Sequence, residues 1–282
     1  MIRDIKYELL KMCCHKKNLI PLGGYVLFII LCYIAYKTST HLLTGILTNV
    51  NPDSLEAKKY LDGFFFARLA LVPTFIVLMP LVMATLGGDC IAGEMQEGSL
   101  KLYMSRPRSR TRVILTKFSA IYIAGLLYSL FFAGLGFLIG YVFFGLVPLQ
   151  ILIMPGRVFG SVLSIMTARE ALIRYGCITL YFSFSLLTLG AMALFLSTLF
   201  NRMTSATLAV VTIYFVSYVV AALPFSDALR PWLISEITNN AFLFWMTPLP
   251  WGKLFGNLTV LAMYIFGFLF ASLISFNYKD IR

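Results

Sequence analysis

Long apolar runs separated by short polar segments make up most of this chain. A helix needs about 20 mostly apolar residues to cross the hydrocarbon core of a bilayer, and six runs come close to or exceed this length. None of the six contains Asp, Glu, Lys, Arg or His. Apolar and polar residues do not alternate with the period of a strand, so we expect an all-α polytopic membrane protein with six transmembrane helices. The runs are 19–36, 69–86, 118–146, 176–200, 206–225 and 254–276.

Two further segments are apolar but contain prolines or charges. The segment 147–167 contains Pro148, Pro155 and Arg157, and the segment 231–250 ends with Pro248 and Pro250. We expect both to be interfacial or re-entrant helices on the outer side, and the alternative is that either one is a seventh span. All three tryptophans lie at 232–251, and tryptophan favours the boundary between water and lipid.

The charge distribution predicts how the chain is oriented. The net charge is +11, with 60% hydrophobic and 12% charged residues. If the N-terminus is cytoplasmic, the inner segments hold 14 basic residues and the outer segments 9. Cytoplasmic loops carry an excess of Lys and Arg, so we expect a multi-pass protein of the plasma membrane with both termini inside. The basic charge then needs no nucleic-acid partner and is compatible with contact to anionic lipid.

Residues 1–18 precede the first apolar run and have a pattern of their own. Ile2, Ile5, Leu9 and Met12 recur at helical spacing, and most charged residues lie elsewhere on the helix. This predicts an amphipathic helix on the cytoplasmic surface of the membrane. The first apolar run lacks a small-residue cleavage site, so we interpret it as a retained span.

The chain shows no energy source of its own. Ion-driven transporters usually keep ionisable residues inside their spans, and the six apolar runs have none. The nucleotide-binding pattern GxxxxGK[ST] is also absent from the sequence. The two histidines, His15 and His41, lie beside no pair of acids, which argues against a lipid-modifying enzyme. We therefore expect neither a catalytic site nor a metal or cofactor on this chain.

The densest charge lies in one internal loop, residues 87–117. We expect a short helix over 92–103, with glycine hinges at 87, 88, 93 and 98, and with Glu94 and Glu97 on neighbouring positions of one helical face. Pro107 then ends the helix. Such an element between two spans is suited to receive a push from a docked partner. The alternative is a solvated loop whose arginines hold phospholipid headgroups.

The order of residues in this loop resembles the cytoplasmic loop of type-2 ABC transporter permeases. The resemblance rests on an acidic Gly-Glu step, a Gly-Ser-Leu step, an Arg-Pro step and a lysine that opens the third span. The ending 276–282 and the six predicted spans extend it over nearly the whole chain. The residues that carry it, and that the resemblance assigns to ATPase coupling, are Asp89, Gly93, Glu94, Glu97, Gly98, Ser99, Arg106, Pro107, Arg110 and Lys117.

The resemblance implies half of a transport pore. It predicts a second permease copy or paralogue, and two cytoplasmic ABC ATPase subunits that carry ATP and Mg²⁺ and dock on a coupling helix at about 89–103. It also matches 231–250 to a re-entrant element. We expect an exporter of an amphipathic, lipidic or peptide-like substrate; the alternative is a passive channel or a lipid-binding scaffold. A candidate weakly polar path consists of Ser183, Ser185, Thr188, Thr212, Ser217 and Tyr218.

Overall fold

The structure is a computed structural model and describes residues 2–14, 16–38, 62–100, 109–146, 149–154, 162–223, 226 and 228–279. Six of its helices are long and apolar enough to cross a membrane, which confirms the prediction of an all-α polytopic protein. A separate helix, Ile2–Cys14, precedes them. The spans are span 1 Asn18–Thr38, span 2 Gly63–Gln96, span 3 Arg110–Phe144, span 4 Ala168–Leu199, span 5 Met203–Ala222 and span 6 Trp251–Tyr278.

Several spans extend beyond the apolar runs because polar residues cap them. The Asp62 carboxylate accepts a hydrogen bond from the N–H of Phe65 at 2.9 Å, and span 2 begins at Gly63. Ser109 and Thr167 cap spans 3 and 4 in the same way. A side chain that accepts from a first-turn N–H satisfies a donor with no partner inside the helix, so each helix can begin before its hydrocarbon-length run.

Span 2 is one long helix interrupted by two π-helical segments, Thr74–Leu78 and Asp89–Gly93. The first lies just before Pro80, which has no N–H to donate to the carbonyl of Ile76 four residues earlier. The hydroxyl of Tyr214 in span 5 donates to this carbonyl at 3.2 Å. A neighbouring helix therefore supplies the hydrogen bond that proline removes, as lipid-embedded backbone requires.

Span 4 forms the centre of the bundle. In its most apolar window 83% of residues are buried, against 17% in the windows of spans 1, 5 and 6. It packs against spans 2, 3, 5 and 6. Spans 1, 5 and 6 thus lie at the periphery, with large apolar side chains such as Leu208 and Phe266 exposed.

Glycines allow the closest helix contacts. A Cβ on Gly140 of span 3 would lie 2.2 Å from the carbonyl oxygen of Gly63 in span 2, and a Cβ on Gly87 would lie 2.4 Å from the Cβ of Ala193 in span 4. Gly136 faces the Tyr25 hydroxyl of span 1. Gly136 and Gly140 therefore allow close helix packing within the chain.

Between spans 3 and 4 the described residues form two paired strands, and the expectation of an interfacial or re-entrant helix over 147–167 is wrong. Strand β1, Leu149–Met154, pairs antiparallel with β2, Val162–Thr167, from Leu149 opposite Thr167 to Met154 opposite Val162. Pro148 and Pro155 bound β1. They leave a run of six residues, which suits a strand better than a helix.

The segment between spans 5 and 6 folds as three short helical pieces: Arg230–Trp232, Ile234–Asn239 and Asn240–Trp245. Side chains of three spans hold it by hydrogen bonds. Tyr181 donates to the carbonyl of Ile237 at 3.0 Å and Tyr264 to that of Trp232 at 2.7 Å. Trp245 is buried, whereas Trp232 and Trp251 are more than half exposed.

Candidate functional site

A buried cluster of four charged side chains joins the N-terminal helix to spans 2 and 3. The Nζ of Lys117 lies 2.7 Å from Oε1 of Glu94 and 3.4 Å from Oε1 of Glu8. The Nζ of Lys11 lies 2.6 Å from the same Glu94 oxygen. Lys117 is fully buried, and Glu8 and Glu94 are nearly so. We call these four residues the charge cluster.

The N-terminal helix contributes one charged face to this contact. Asp4, Glu8 and Lys11 are spaced by four and three residues, which aligns them along one side of a helix. Asp4 pairs with Arg112 of span 3 at 2.8 Å, one helical turn from the contact between Glu8 and Lys117. Two side chains on one helix thus match two on the other, which fixes how the N-terminal helix lies on span 3.

The N-terminal helix has one face packed against the rest of the chain and one exposed face. Leu9 and Met12, which belong to the apolar stripe of this helix, pack against the protein core. Tyr7 and Leu10 are 63% and 54% exposed, and Arg3 and Lys6 are exposed beside them. The surface that the helix presents is therefore mixed basic and apolar.

The charge cluster is balanced, with two carboxylates and two ammonium groups. Charges taken out of water are stable only when paired, and removal of one partner leaves a buried charge uncompensated. Burial by itself would lower the pKa of Lys11, but the hydrogen bond and charge of Glu94 outweigh this and raise that pKa above its ordinary value. Lys11 therefore stays protonated throughout the physiological range.

One carboxylate oxygen of Glu94 takes no part in the ion pairs of the charge cluster. Oε2 of Glu94 has no hydrogen-bond partner among the described residues. It borders a cavity of about 20 Å³ lined also by Glu8, Lys11 and Asn18, which is room for about one water molecule.

The loop after Glu94 differs from the expected helix over 92–103. The helix ends at Gln96, and Gly98 adopts a φ of +72°, with its N–H bonded to the carbonyl of Met95 at 3.1 Å. Gln96, Glu97 and Gly98 are exposed, whereas Glu94 is buried. Glu94 and Glu97 therefore do not share an exposed face, and the exposed tip of this turn carries the carboxylate of Glu97. Ser99, at the start of the next helical stretch, donates to the carbonyl of Glu94 at 3.3 Å.

The second π-helical segment, Asp89–Gly93, is bound to span 4 through one hydroxyl. Ser197 accepts from the N–H groups of Ile91 and Ala92 at 3.1 and 2.7 Å and donates to the carbonyl of Gly88 at 2.9 Å. A Cβ on Gly93 would lie 2.0 Å from the carboxylate of Asp89. The expected hinges at 87, 88 and 93 are therefore tightly packed helical positions, and only Gly98 makes a turn.

Two basic residues cap the ends of other spans nearby. The Arg110 guanidinium donates to the carbonyls of Phe276, Asn277 and Lys279 at 2.8 to 2.9 Å, and Lys279 donates to that of Thr198 at 2.6 Å. Cations at a helix C-terminus satisfy free carbonyls and the helix dipole. The N-terminal helix, the 94–100 turn and the end of span 6 thus meet at one end of the bundle, which we call the terminal end.

The structure brings most of the sequence-predicted coupling residues to the terminal end. Asp89, Gly93, Glu94, Glu97, Gly98, Ser99, Arg110 and Lys117 lie there, whereas Arg106 and Pro107 lie outside the described residues. Sequence reasoning missed Glu8, Lys11 and Ser197. The spacing of Asp4, Glu8 and Lys11 is the one signal in the sequence that could have indicated a charged contact face.

The six residues of the candidate path do not line a common surface. Ser185 and Thr188 are buried and donate to carbonyls of their own helix. Thr212 is exposed. Ser217 and Tyr218 bind Ser235 and Asn239 of the segment between spans 5 and 6. Ser183 is buried, and its hydroxyl has no partner among the described residues.

Arg68 is a buried ionisable side chain in the first half of span 2, so the absence of such residues holds for the apolar runs and not for the full helices. Arg68 is 5% exposed. Its Cζ lies 5.2, 5.8 and 5.5 Å from the ring centroids of Phe64, Phe65 and Trp245. These cation–π contacts hold the arginine at the end of the bundle opposite the terminal end.

The sequence matches the model of a known protein family. The family model described as ABC-2 family transporter protein matches residues 17–251, which is most of the chain. No curated protein matches the sequence. The match covers spans 1 to 5, the loop that supplies Glu94 and Lys117 to the charge cluster, and the segment before span 6. Six candidate spans and this match together show that the chain belongs to the ABC-2 transporter family and is the multi-pass membrane permease subunit of an ABC transporter.

Proposed function

We propose that this chain is one of two membrane subunits of an exporter, driven by two separate ATPase subunits that dock at the terminal end. ATP and Mg²⁺ are bound by those subunits, and this chain holds no cofactor. The second membrane subunit is another copy or a paralogue. The substrate is amphipathic, lipidic or peptide-like.

The observation that carries this proposal is the charge cluster. It links Glu94 at the end of span 2, Lys117 in span 3 and the N-terminal helix through contacts of 2.6 to 3.4 Å. Ser197 adds span 4 to the same unit. A force on the adjacent turn therefore moves three spans and the N-terminal helix together. A loop that only bound lipid headgroups would need no such buried connection.

The exposed turn is the contact we assign to the ATPase. Glu97 lies at its tip, whereas the carboxylate of Glu94 is buried. Glu97 is therefore the docking residue, and Glu94 is a positioning residue that transmits the movement. This division gives different roles to two acids that the resemblance assigns together to ATPase coupling.

The proposed orientation places the terminal end in the cytoplasm, with the protein in the plasma membrane. Arg3, Lys6 and Arg112 are exposed at this end, in agreement with the excess of basic residues on cytoplasmic segments. The substrate class rests on spans 4 and 5. Between Tyr175 and Ala222 the one charged residue is Arg202, so a path along these helices would favour amphiphiles over bare ions.

Co-purification from native membranes in mild detergent tests the proposal. We expect the wild-type chain to retain a nucleotide-hydrolysing partner and Glu97→Arg to lose it. Glu94→Gln keeps the partner but loses the coupling between substrate and ATPase activity. Glu170→Arg is the matched control, because Glu170 is also an exposed acid but lies at the opposite end.

The contrary result is equally clear. A wild-type chain that purifies without any ATPase activity, and whose transport persists without nucleotide, would favour a passive channel or a lipid-binding scaffold. Retention of the partner by Glu97→Arg would move the docking site away from the turn.

A further inference from the structure

A cavity of about 260 Å³, open on one side, lies at the end of the bundle opposite the charge cluster. It forms where span 2 begins, span 3 ends and span 4 begins. Among the described residues, the wall is apolar except for one guanidinium. The lining residues are Phe64, Phe137, Leu146, Ala168, Arg169 and Leu172.

Close backbone packing holds the inner wall of this cavity. The N–H of Gly63 donates to the carbonyl of Gly145 at 2.9 Å, which ties the start of span 2 to the end of span 3. The ring of Phe64 meets that of Phe137 edge to face at 6.3 Å. The buried guanidinium of Arg68 also makes a cation–π contact with the ring of Phe64. The wall is therefore preformed.

The outer rim of the cavity reaches the surface of the bundle. Leu146 and Leu172 line the cavity and are also 38% and 49% exposed. In a membrane-spanning bundle, exposed leucines near a span end contact lipid chains. A lipid chain can therefore enter from the bilayer without passing through water.

The charged residue that lines the cavity among the described residues is Arg169. Arg169 lies in the first turn of span 4 and is exposed, and the N-terminus of this 32-residue helix adds a partial positive charge. Glu170 follows in the same turn, but it is not part of the lining. Arg174, further along the helix, donates to the carbonyls of Phe244 and Met246.

We propose that this cavity binds one acyl chain of an anionic membrane lipid, with the headgroup at Arg169. Its volume is slightly below the roughly 300–1,000 Å³ of sites that enclose a whole drug-sized ligand. A segment of one acyl chain fits this space while the rest of the lipid stays in the bilayer. The inference concerns lipid binding alone and does not depend on coupling to an ATPase.

Photo-crosslinking of the full chain in phosphatidylcholine nanodiscs, without nucleotide, tests this site. The probes are phosphatidylglycerol and phosphatidylcholine that carry a diazirine in one acyl chain, and labelled peptides are identified by mass spectrometry. Leu172→Trp fills the cavity. Leu180→Trp is the matched control, because Leu180 is an equally exposed leucine of span 4 that does not line the cavity.

We expect the phosphatidylglycerol probe to label peptides that line the cavity, and Leu172→Trp to abolish this labelling while Leu180→Trp preserves it. Arg169→Gln should lower labelling by phosphatidylglycerol about fivefold, the effect of one basic residue on an anionic lipid, and leave labelling by phosphatidylcholine unchanged. Equal labelling of both tryptophan variants would overturn the site. Equal labelling of the wild type by both probes would overturn its preference for anionic lipid.

Discussion

The ammonium of Lys117 and the carboxylate of Glu94 lie 2.7 Å apart with almost no access to solvent. The two residues are 23 positions apart in sequence and belong to different spans. Their pairing turns the end of span 2 and the start of span 3 into one unit, to which Glu8 and Lys11 add the N-terminal helix.

This pairing predicts a strong and non-additive response to mutation. Lys117→Met leaves two buried carboxylates facing one remaining cation, and we expect a loss of about 3–5 kcal/mol in the free energy of unfolding. Adding Glu94→Gln should restore part of this loss, because it removes one of the two buried carboxylates that Lys117 pairs with. Thermal unfolding in detergent measures both. Additive losses would show that the two residues act independently.

The attachment of the N-terminal helix should be insensitive to pH over the neutral range. Because the folded pKa of Lys11 is raised, its stabilising contribution is complete below the ordinary pKa of lysine and is lost as pH rises through the raised value. The distance between spin labels at the exposed Tyr7 and Leu115 should stay constant from about pH 6 to 9 and increase only in stronger alkali. Lys11→Met should broaden that distance at neutral pH. An increase in this distance between pH 7 and 8 would contradict the role of Lys11 in attaching the N-terminal helix.

The hydrogen bond from Tyr214 to the carbonyl of Ile76 should depend on Pro80. Tyr214→Phe leaves that carbonyl without its donor in the bilayer and should cost about 1 kcal/mol. In a Pro80→Ala background the backbone N–H of residue 80 can replace the hydroxyl. The same Tyr214→Phe change should then cost clearly less. A double-mutant cycle in thermal stability checks this, and equal costs in both backgrounds would refute the compensation.

Two glycines of span 3 should respond oppositely to valine. A side chain at Gly140 collides with the backbone of Gly63, whereas a Cβ on Gly134 would meet no neighbouring atom within 4 Å among the described residues. We expect Gly140→Val to destabilise the fold by at least ~1–3 kcal/mol and Gly134→Val to leave it nearly unchanged. The yield of monodisperse protein and its melting temperature report the difference. Equal yields and melting temperatures for the two variants would mean that spans 2 and 3 do not approach each other as closely as Gly140 and Gly63 do here.

Prediction from sequence succeeded where a local pattern has one stable solution. Apolar runs of bilayer length must become helices, because no other open structure satisfies their backbone in lipid. The motif around Glu94 and Pro107 indicated the family, which the match over residues 17–251 confirms.

Prediction from sequence failed where contacts between residues far apart in the sequence determine the structure. The hairpin at 149–167 was expected to be helical, because an apolar run bounded by prolines does not distinguish a strand from a helix. Glu94 and Glu97 were placed on one face, but Gly98 ends the helix and the charge cluster draws Glu94 inward. Arg68 lies just outside the predicted apolar run 69–86, but capping by Asp62 begins span 2 before it.

The sequence by itself determined the six spans, the basic terminal end and the family, since hydropathy, charge bias and motif order are properties of local composition. The tertiary structure decided which charges are buried and which are exposed. Burying Glu8, Glu94 and Lys117 is tolerable only if opposite charges from three separate helices meet within hydrogen-bonding distance. That condition depends on how the helices pack, and no stretch of sequence encodes it alone.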